Sequence, residues 1–463
     1  MTRSELFAAL SARLGARFQT GAAIRDQHGR DESHLPAAPP EAVAWPLDTA
    51  EVAAIVAACA AARCPVVAWG AGTSLEGHAL AVQGGIVLDM TRMDRVLAVR
   101  PEDMDCTVQP GITREALNAA LRATGLFFPV DPGANATLGG MAGTRASGTT
   151  AVRYGTMRDN VLGLEVVLAD GRIVRTGGRA RKSSTGYDLT RLMVGSEGTL
   201  GIITELTLRL HGQPEAVVAA VCGFPEIGAA VDAVIETMQA GVPMARIEFV
   251  DEAAIAAFNA YAGAAMPLRP HLFLEFHGSA AGVAEQAETV GAIMAGHGAG
   301  AFRWATATED RARLWKMRHN AYYAAKALRP GCRVLTTDVC VPISALAQAV
   351  RETRADIDAS PLPGPMLGHV GDGNFHVTLL IDPDSAAERD EALRLAHRMA
   401  ERALALGGTV SGEHGVGLGK RKFMAAEHGE GWQVMGAIKA ALDPLNILNP
   451  GAVLAPLSGS RAS

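Results

Sequence analysis

The chain has few charged residues and no excess of positive charge. Asp, Glu, Lys and Arg make up 19% of its 463 residues, hydrophobic residues make up 49%, and the formal net charge is −6. Because no basic stripe stands out, this balance argues against a nucleic-acid backbone as a partner. A chain of this length and composition is expected to form two or three globular domains, each with its own core.

Long apolar segments and paired cysteines are also absent. The longest wholly apolar run, Val52 to Ala62, is far shorter than the roughly 20 residues needed to span a bilayer. No signal peptide is visible at the N-terminus. The six cysteines include no Cys-x-x-Cys pair and indicate no disulfide framework. We therefore expect a cytoplasmic protein without a transmembrane segment, with peripheral attachment to the inner membrane face and a homodimeric state left open.

Two histidines flank a predicted turn in the sequence His-Val-Gly-Asp-Gly-Asn-Phe-His at 369–376. Asp-Gly between apolar residues favours a two-residue hairpin turn, which would place His369 directly opposite His376. Their Cβ atoms would lie roughly 5 Å apart, which suits one metal ion. Further on, Glu413 and His414 add a carboxylate and a third imidazole between glycines. An isolated histidine pair is more often an ordinary half-buried pair, so the metal assignment depends on the rest of the sequence.

Three glycine-rich segments indicate a nucleotide-like ligand. The first, 70–78, follows a predicted strand at 65–69; the others are 131–148 and 195–202. Glycines allow backbone amides to approach a pyrophosphate group. The first segment is not the dinucleotide fingerprint, because the third glycine would fall at Leu75. One such segment would be equally consistent with a tight turn, but three are hard to explain as turns alone.

Six segments resemble a known family. Segments 65–77, 160–171 and 195–201 resemble the FAD-binding domain of the vanillyl-alcohol oxidase superfamily. Segments 368–376, 412–415 and 443–451 resemble its FAD-linked D-2-hydroxyacid dehydrogenase branch. The resemblance covers nearly the whole chain. It implies a flavoprotein oxidoreductase with an α+β fold.

The resemblance also implies how the domains divide. Residues 1–213 would form a two-lobed FAD-binding domain of the PCMH type, 214–410 a ferredoxin-like antiparallel cap domain that faces the substrate, and 411–463 a C-terminal segment that returns to the flavin. Within the cap, strand-like stretches at 217–224, 246–250 and 272–277 alternate with helix-like ones such as 227–239. This order predicts a sheet with helices on one face.

FAD is the cofactor that the resemblance implies, and this branch generally binds it non-covalently, so attachment to His78 is not expected. The expected FAD contacts are Gly70, Ala71, Gly72, Thr73, Ser74, Gly77, His78, Pro132, Gly133, Thr137, Gly139, Gly140, Ser147, Gly148, Tyr154, Gly155, Glu197, Gly201, Ile202 and Asn449. The later glycine run 415–420 lacks the spacing of a phosphate loop, and we interpret it as a flexible link with basic surface residues.

The resemblance assigns roles to the remaining candidates. Arg318 matches the arginine that binds the substrate carboxylate, and His414 matches the catalytic base. His369, His376 and Glu413 would hold a divalent Zn, Mn or Fe ion, which lowers the pKa of the substrate hydroxyl as a Lewis acid. The expected substrate contacts are Arg318, Tyr322, Asn374 and His414.

Two departures from the family bear on the substrate. Arg145 stands where relatives commonly carry asparagine near the cofactor, and Thr336-Thr337 stands where enzymes acting on D-2-hydroxyglutarate are expected to place a lysine. A dicarboxylate would lose an ion pair at that position. A small monocarboxylate such as D-lactate is therefore favoured.

Other interpretations of the chain stay open. D-2-hydroxyglutarate or glycolate oxidation is the alternative within the family, and a non-catalytic FAD-binding subunit is the alternative of a different class. The flavin would pass its electrons to a quinone, a cytochrome or an electron-transferring flavoprotein, and the sequence does not choose among them.

Overall fold

The computed structural model describes residues 1–454 and combines helices with mostly antiparallel strands. The α-helices are α1 (Arg3–Leu14), α2 (Ala22–Gln27), α3 (Thr49–Ala61), α4 (Arg114–Leu121), α5 (Leu138–Thr144), α6 (Ala151–Tyr154), α7 (Met157–Asn160), α8 (Leu189–Met193), α9 (Ile227–Gln239), α10 (Glu252–Ala262), α11 (Ala280–Gly296), α12 (Thr308–His319), α13 (Ala321–Ala327), α14 (Ile343–Asp358), α15 (Ala386–Ala405), α16 (Met424–His428) and α17 (Glu430–Leu442). None of these helices is both long and apolar enough to cross a membrane.

The strands are interleaved with these helices along the chain. They are β1 (Phe18–Gln19), β2 (Ala42–Ala44), β3 (Val66–Trp69), β4 (Ile86–Asp89), β5 (Val96–Arg100), β6 (Asp105–Val108), β7 (Leu126–Phe127), β8 (Val161–Val167), β9 (Ile173–Gly177), β10 (Ile202–Arg209), β11 (His211–Gly212), β12 (Ala216–Gly223), β13 (Met244–Val250), β14 (His271–Gly278), β15 (Arg303–Ala305), β16 (Arg333–Thr336), β17 (Val339–Cys340), β18 (Met366–His369) and β19 (Asn374–Ile381). The fold is α+β, as the sequence predicted.

The described residues group into two compact units. Unit 1 comprises Met1–Ser147, Gly155–Gln213 and the C-terminal segment that begins at Glu413. Unit 2 comprises Gly148–Tyr154 and Pro214–Gly412. The short stretch Gly148–Tyr154 therefore belongs to unit 2, although the residues on both sides of it belong to unit 1.

Unit 1 is built on two larger sheets, and β7 and β11 form a separate two-stranded sheet. In the first, with the order β1-β2-β4-β3, strands β2 and β3 run parallel to β4. The second, with the order β5-β6-β10-β8-β9, is antiparallel. Asp48 is the N-cap of helix α3, and its side chain accepts a hydrogen bond from the Glu51 amide at 2.8 Å. The spacing i, i+3, i+4, i+7 brings one apolar face of α3 into the core: Val52, Ile55, Val56 and Cys59.

A buried Lys–Asp pair fixes the C-terminal tail of unit 1. Lys439 donates hydrogen bonds to the carbonyls of Thr199 and Leu448, both at 2.8 Å. Asp443, the residue that caps the C-terminus of α17, accepts from the Leu448 amide at 2.8 Å. Burial lowers the pKa of Lys439, and the Asp443 carboxylate opposes that shift. The tail continues alongside β3, since the amide after Leu448 donates to the Val66 carbonyl at 2.8 Å.

Unit 2 is an eight-stranded sheet with helices on both faces. Its order is β15-β12-β14-β13-β18-β19-β16, and β17 pairs with β19. Helices α9, α11, α14 and α15 pack on one face, where Ile247 and Phe249 point. Helices α10, α12 and α13 cover part of the other face near Val250, so the expectation of helices on one face only was wrong. Because side chains alternate along a strand, Arg246 and Glu248 share the face of Val250.

The hairpin between β18 and β19 differs from the predicted two-residue turn. Its loop has four residues, 370–373, which include a 3-10 turn. His369 pairs with Asn374, and His376 pairs with Leu367. The prediction that the two histidines lie directly opposite each other was therefore wrong, because Asp-Gly marks a turn without fixing its loop length. Both histidines still lie on one face, since the register moved by an even number of residues.

We expect Lys439→Met to destabilise unit 1 by about 3–5 kcal/mol, because it leaves the Asp443 carboxylate buried without its cation. Lys422→Met is the matched control, since Lys422 is an exposed lysine of the same segment. Calorimetry should show a lower unfolding temperature for the first variant only, and hydrogen exchange should rise at residues 447–449. Equal unfolding temperatures for the two variants would contradict this account.

Candidate functional site

The first two glycine-rich segments meet in unit 1. A Cβ atom on Gly70 would lie 2.2 Å from Thr137 Oγ1, so only glycine allows the two chains to come this close. The same hydroxyl caps α5, where it accepts from the Gly140 amide at 3.4 Å. The first glycine-rich segment therefore contacts the N-terminus of α5.

The third glycine-rich segment lies against the other end of α5. The Gly195 amide donates to the Ala142 carbonyl and the Glu197 amide to the Gly143 carbonyl, both at 2.9 Å. Arg145 ends the helix in the left-handed region, with φ of 57°. Its guanidinium lies against Gly195 and donates to the carbonyl of the preceding residue at 3.3 Å. All three segments are thus held around one short helix.

Glu197 joins four parts of unit 1. Its carboxylate accepts hydrogen bonds from the amides of Val416 and Gly417 at 2.7 and 2.8 Å. Asn449 donates to the Glu197 carbonyl at 2.7 Å and to the His78 carbonyl at 2.8 Å. His78 Nε2 lies 3.3 Å from the carboxylate. Burial acts to lower the pKa of His78, but the carboxylates of Glu197, Glu76 and Asp31 together raise the pKa above its usual value.

The glycine run 415–420 is packed tightly in unit 1, so its interpretation as a flexible link with basic surface residues was wrong. A Cβ on Gly417 would lie 2.1 Å from the Glu76 carbonyl oxygen, and one on Gly419 would lie 2.2 Å from a Glu76 carboxylate oxygen. Lys420 is 8% exposed and lies 3.4 Å from that carboxylate. His414, just before the run, lies 4.0 Å from it. Three glycines at alternate positions were a sign of close backbone packing.

The first segment of unit 1 has the features of an anion cradle. Within residues 1–454, the amides of Ala71, Gly72 and Thr73 donate to no protein acceptor. Gly72 has φ of 71°, a conformation that turns successive amides towards one point. Such a concave set of donors fits a pyrophosphate group, as FAD would supply. Of the predicted FAD residues, Gly148 and Tyr154 lie in unit 2, and all the others lie in unit 1.

A buried carboxylate connects two of the predicted site residues in unit 2. Glu248, on β13, is fully buried, and Arg318 on α12 donates to it at 2.5 Å. His369 Nδ1 lies 2.8 and 2.9 Å from its two oxygens. Sequence reasoning missed Glu248. The available signal was an acidic residue in the strand Arg246–Val250, on the face opposite the apolar one.

The two hairpin histidines are each held through Nδ1, and their ring planes meet at 78°. Their ring centroids lie 5.4 Å apart. His376 Nδ1 bonds the Thr337 carbonyl at 3.0 Å, and a carbonyl can only accept, so this nitrogen carries the proton. Nδ1 of His369 donates to Glu248 in the same way. Both Nε2 atoms then have the lone pair that a metal ion requires.

Asp338 fixes the chain that leads to Glu413. It accepts from Asn374 Nδ2 at 2.7 Å and from Ser411 Oγ at 3.0 Å. A Cβ on Gly412 would lie 2.0 Å from Asn374 Nδ2, so glycine is required there. Glu413 is the next residue, bonded directly to the last residue of unit 2.

The two predicted metal-binding histidines come together in unit 2, where His369 and His376 each offer one ring nitrogen. Glu413, the third predicted ligand, offers a carboxylate and directly follows the last residue of unit 2 in the chain. Two imidazole nitrogens and one carboxylate oxygen are a donor set that fits Zn²⁺, Mn²⁺ or Fe²⁺.

The other residues that bear on substrate binding, Thr336, Thr337 and Tyr322, lie in different parts of unit 2. Thr337 Oγ1 lies 3.1 Å from the Met399 sulfur, in the helical layer of unit 2. Thr336 pairs with Thr378, which shares the sheet face of His376, so Thr336 is the threonine on the site face. Tyr322, on α13, packs near Cys332.

Comparisons with known proteins cover most of the chain. Residues 213–453 match the family model described as FAD linked oxidases, C-terminal domain, and residues 40–177 match the one described as FAD binding domain. A relative from Danio rerio, named probable D-lactate dehydrogenase, mitochondrial, is 52% identical over 94% of this chain and 88% of its own. An Arabidopsis thaliana relative, named D-lactate dehydrogenase [cytochrome], mitochondrial, is 46% identical over 93% of this chain and 76% of its own.

Solved structures share the fold at low sequence identity. The structure of p-cresol methylhydroxylase is 18% identical, with a TM-score of 0.81 over 99% of this chain and 98% of that one. This likeness confirms the predicted fold.

We expect Gly412→Ala to destabilise the protein by about 1–3 kcal/mol, because the added methyl group collides with the Asn374 amide. Gly291→Ala is the control: no atom lies within 4 Å of its added Cβ, and it stands within α11. That change should be neutral or stabilising. Thermal unfolding and hydrogen exchange at residues 411–414 measure both. If Gly412→Ala leaves both readouts unchanged, the close approach of Gly412 to Asn374 is wrong.

Proposed function

The chain belongs to the FAD-linked oxidase family, and we propose that it oxidises a small D-2-hydroxy acid, with D-lactate preferred, to the 2-oxo acid. The observation that carries this proposal is the pairing of a buried arginine with two oriented imidazoles on one sheet face of unit 2. An arginine suits a carboxylate, and a metal ion held by imidazoles suits a hydroxyl group. The names of the Danio rerio and Arabidopsis thaliana relatives support D-lactate as the substrate.

The glycine-rich segments of unit 1 would hold FAD non-covalently. The amides of Ala71, Gly72 and Thr73, which donate to no acceptor in the described part of the chain, would bind its pyrophosphate. Bound FAD supplies the hydride acceptor of the reaction, at N5 of its ring. The His78 ring is hydrogen-bonded to Ser74 and lies beside Glu197, which supports a structural role for His78 and not a covalent link.

His369, His376 and Glu413 would hold the divalent ion. Such an ion supplies Lewis acidity, which makes the substrate hydroxyl easier to deprotonate. The Nδ1 contacts of the two histidines with Glu248 and Thr337 support this assignment, because they orient the Nε2 lone pairs before any ion binds.

Two buried polar atoms of unit 2 would orient the substrate. Within the described residues, Arg318 Nε and Asn374 Oδ1 are buried and have no hydrogen-bond partner. The first is a donor that a substrate carboxylate would satisfy, and the second is an acceptor for its hydroxyl proton. We assign proton removal from that hydroxyl to His414, the residue after Glu413 in the chain.

The site face of unit 2 favours a short substrate. Thr336 carries no charge, so a second carboxylate would find no ion pair there. D-2-hydroxyglutarate or glycolate oxidation is the alternative within the family. A non-catalytic FAD-binding subunit would not need Arg318 and His369 to share the buried Glu248 carboxylate.

Partners and location follow from the same proposal. The reduced flavin would pass electrons to a quinone, a cytochrome or an electron-transferring flavoprotein. All six cysteines lie among the described residues as free thiols, which supports a reducing compartment such as the cytoplasm. Peripheral contact with the inner membrane face would give access to a quinone.

We expect D-lactate to reduce the flavin faster than L-lactate by a factor on the order of 10², because only one enantiomer can present its Cα hydrogen once carboxylate and hydroxyl are fixed. Anaerobic stopped-flow mixing, followed at the flavin absorbance, gives both rates. D-2-hydroxyglutarate and glycolate in the same series test the role of Thr336. Equal rates for the two enantiomers would refute the binding geometry, and a preference for D-2-hydroxyglutarate would refute the argument from substrate size.

We expect His369→Ala, His376→Ala and Glu413→Ala to lose metal and activity together, since each removes one of about three protein ligands. His414→Asn should keep FAD and metal while turnover falls by a factor on the order of 10² to 10⁴. Elemental analysis beside stopped-flow flavin reduction separates the two outcomes. If His414→Asn loses the metal as fully as His369→Ala does, His414 is a ligand and not the base.

A further inference from the structure

We propose that Glu248 is a positioning residue that couples the metal site to Arg318, so that the metal ion and a substrate carboxylate bind cooperatively. This inference rests on the proposed function, because it uses His369 as a ligand and Arg318 as the carboxylate-binding group.

The contacts of Glu248 show one carboxylate shared between two functional groups. Its Oε2 accepts from Arg318 at 2.5 Å and lies 2.9 Å from His369 Nδ1, while its Oε1 lies 2.8 Å from the same nitrogen. Glu248 is fully buried, and Arg318 is 5% exposed. An ionised carboxylate can only accept, so both neighbours donate to it. A stronger hydrogen bond from one of these donors therefore leaves less carboxylate charge to neutralise the other.

The two ligand histidines differ in what holds them. Nδ1 of His376 donates to the neutral Thr337 carbonyl, whereas Nδ1 of His369 donates to a charged group. A carboxylate behind an imidazole fixes its tautomer and makes the opposite nitrogen a better ligand. His369 therefore has the shorter connection to a carboxylate, since His376 Nδ1 lies 3.7 Å from the nearest Asp338 oxygen.

The coupling follows from competition for the Glu248 oxygens. A cation on His369 Nε2 makes the Nδ1–H group a stronger donor and draws carboxylate charge towards the ring. Arg318 is then less fully neutralised and binds an incoming carboxylate more strongly. Because linkage is reciprocal, the carboxylate must raise the affinity for the metal by the same factor.

The neighbouring strand provides a matched control. Glu275, on β14, is a buried carboxylate on the same sheet face, next to His277 Nε2 at 2.9 Å and Arg246 at 3.2 Å. It resembles Glu248 in burial and in having one imidazole and one guanidinium neighbour. Its neighbours are not among the proposed metal or carboxylate groups.

The experiment uses the FAD-loaded protein, Mn²⁺ and propionate. Propionate has the carboxylate and length of lactate but no hydroxyl group, so it does not report on chelation by a hydroxyl. Free Mn²⁺ measured by electron paramagnetic resonance gives the metal Kd with and without propionate, and perturbation of the flavin spectrum gives the propionate Kd with and without Mn²⁺. We expect equal coupling factors of about 5 to 150 in the unsubstituted protein.

Glu248→Gln keeps the side-chain size but removes the charge. We expect it to weaken Mn²⁺ binding by about 10- to 100-fold and to bring the coupling factor close to 1. Glu275→Gln should keep the coupling of the unsubstituted protein. Glu248→Asp retains the charge and should restore part of the coupling.

Several outcomes would overturn the proposal. Independent binding of Mn²⁺ and propionate in the unsubstituted protein does so without any variant, which covers the case in which Glu248→Gln does not fold. Unchanged coupling in Glu248→Gln, or an equal loss in Glu275→Gln, does so as well. If the protein oxidises D-lactate and binds Mn²⁺ but shows no coupling, only this inference fails. If it binds no Mn²⁺, the metal part of the proposed function fails with it.

Discussion

The carboxylate of Glu197 is the contact on which the organisation of unit 1 depends. It accepts two backbone amides of the glycine run after His414 and lies beside His78, while its own backbone binds α5 and Asn449. A buried carboxylate that is satisfied by several donors is costly to disturb, because each lost donor leaves charge without compensation. Through its side chain and its backbone, this one residue connects His78, α5, the glycine run after His414 and Asn449, which are far apart in sequence.

Unit 2 uses a buried carboxylate differently. The apolar face of its sheet supplies the core, and the opposite face carries Arg246 and Glu248 on β13 and Glu275 on β14. Charged groups on a covered sheet face are stable only as pairs. Pairing also fixes their orientation, so the arrangement that stabilises this face is the one that orients Arg318 and His369.

The features that the sequence predicted correctly are those that depend on local sequence patterns. Helix α9 has the predicted bounds, 227–239, because its apolar period is strong and a strand precedes it. The hairpin register was not predicted, since turn residues do not set loop length. Glu248 and the packing of 415–420 depend on partners distant in sequence, such as Arg318 and Glu76. No periodicity along the chain encodes such pairings, although an acidic residue in a buried strand was a local sign.

The four-residue loop 370–373 has a consequence for how this chain can vary. His369 and His376 share a face because the number of residues between them matches the pleat of β18 and β19. Inserting one residue into β19 ahead of His376 would turn that imidazole to the opposite, apolar face, whereas inserting two would return it to the original one. We therefore expect insertions and deletions at this point of the hairpin to comprise even numbers of residues in related chains.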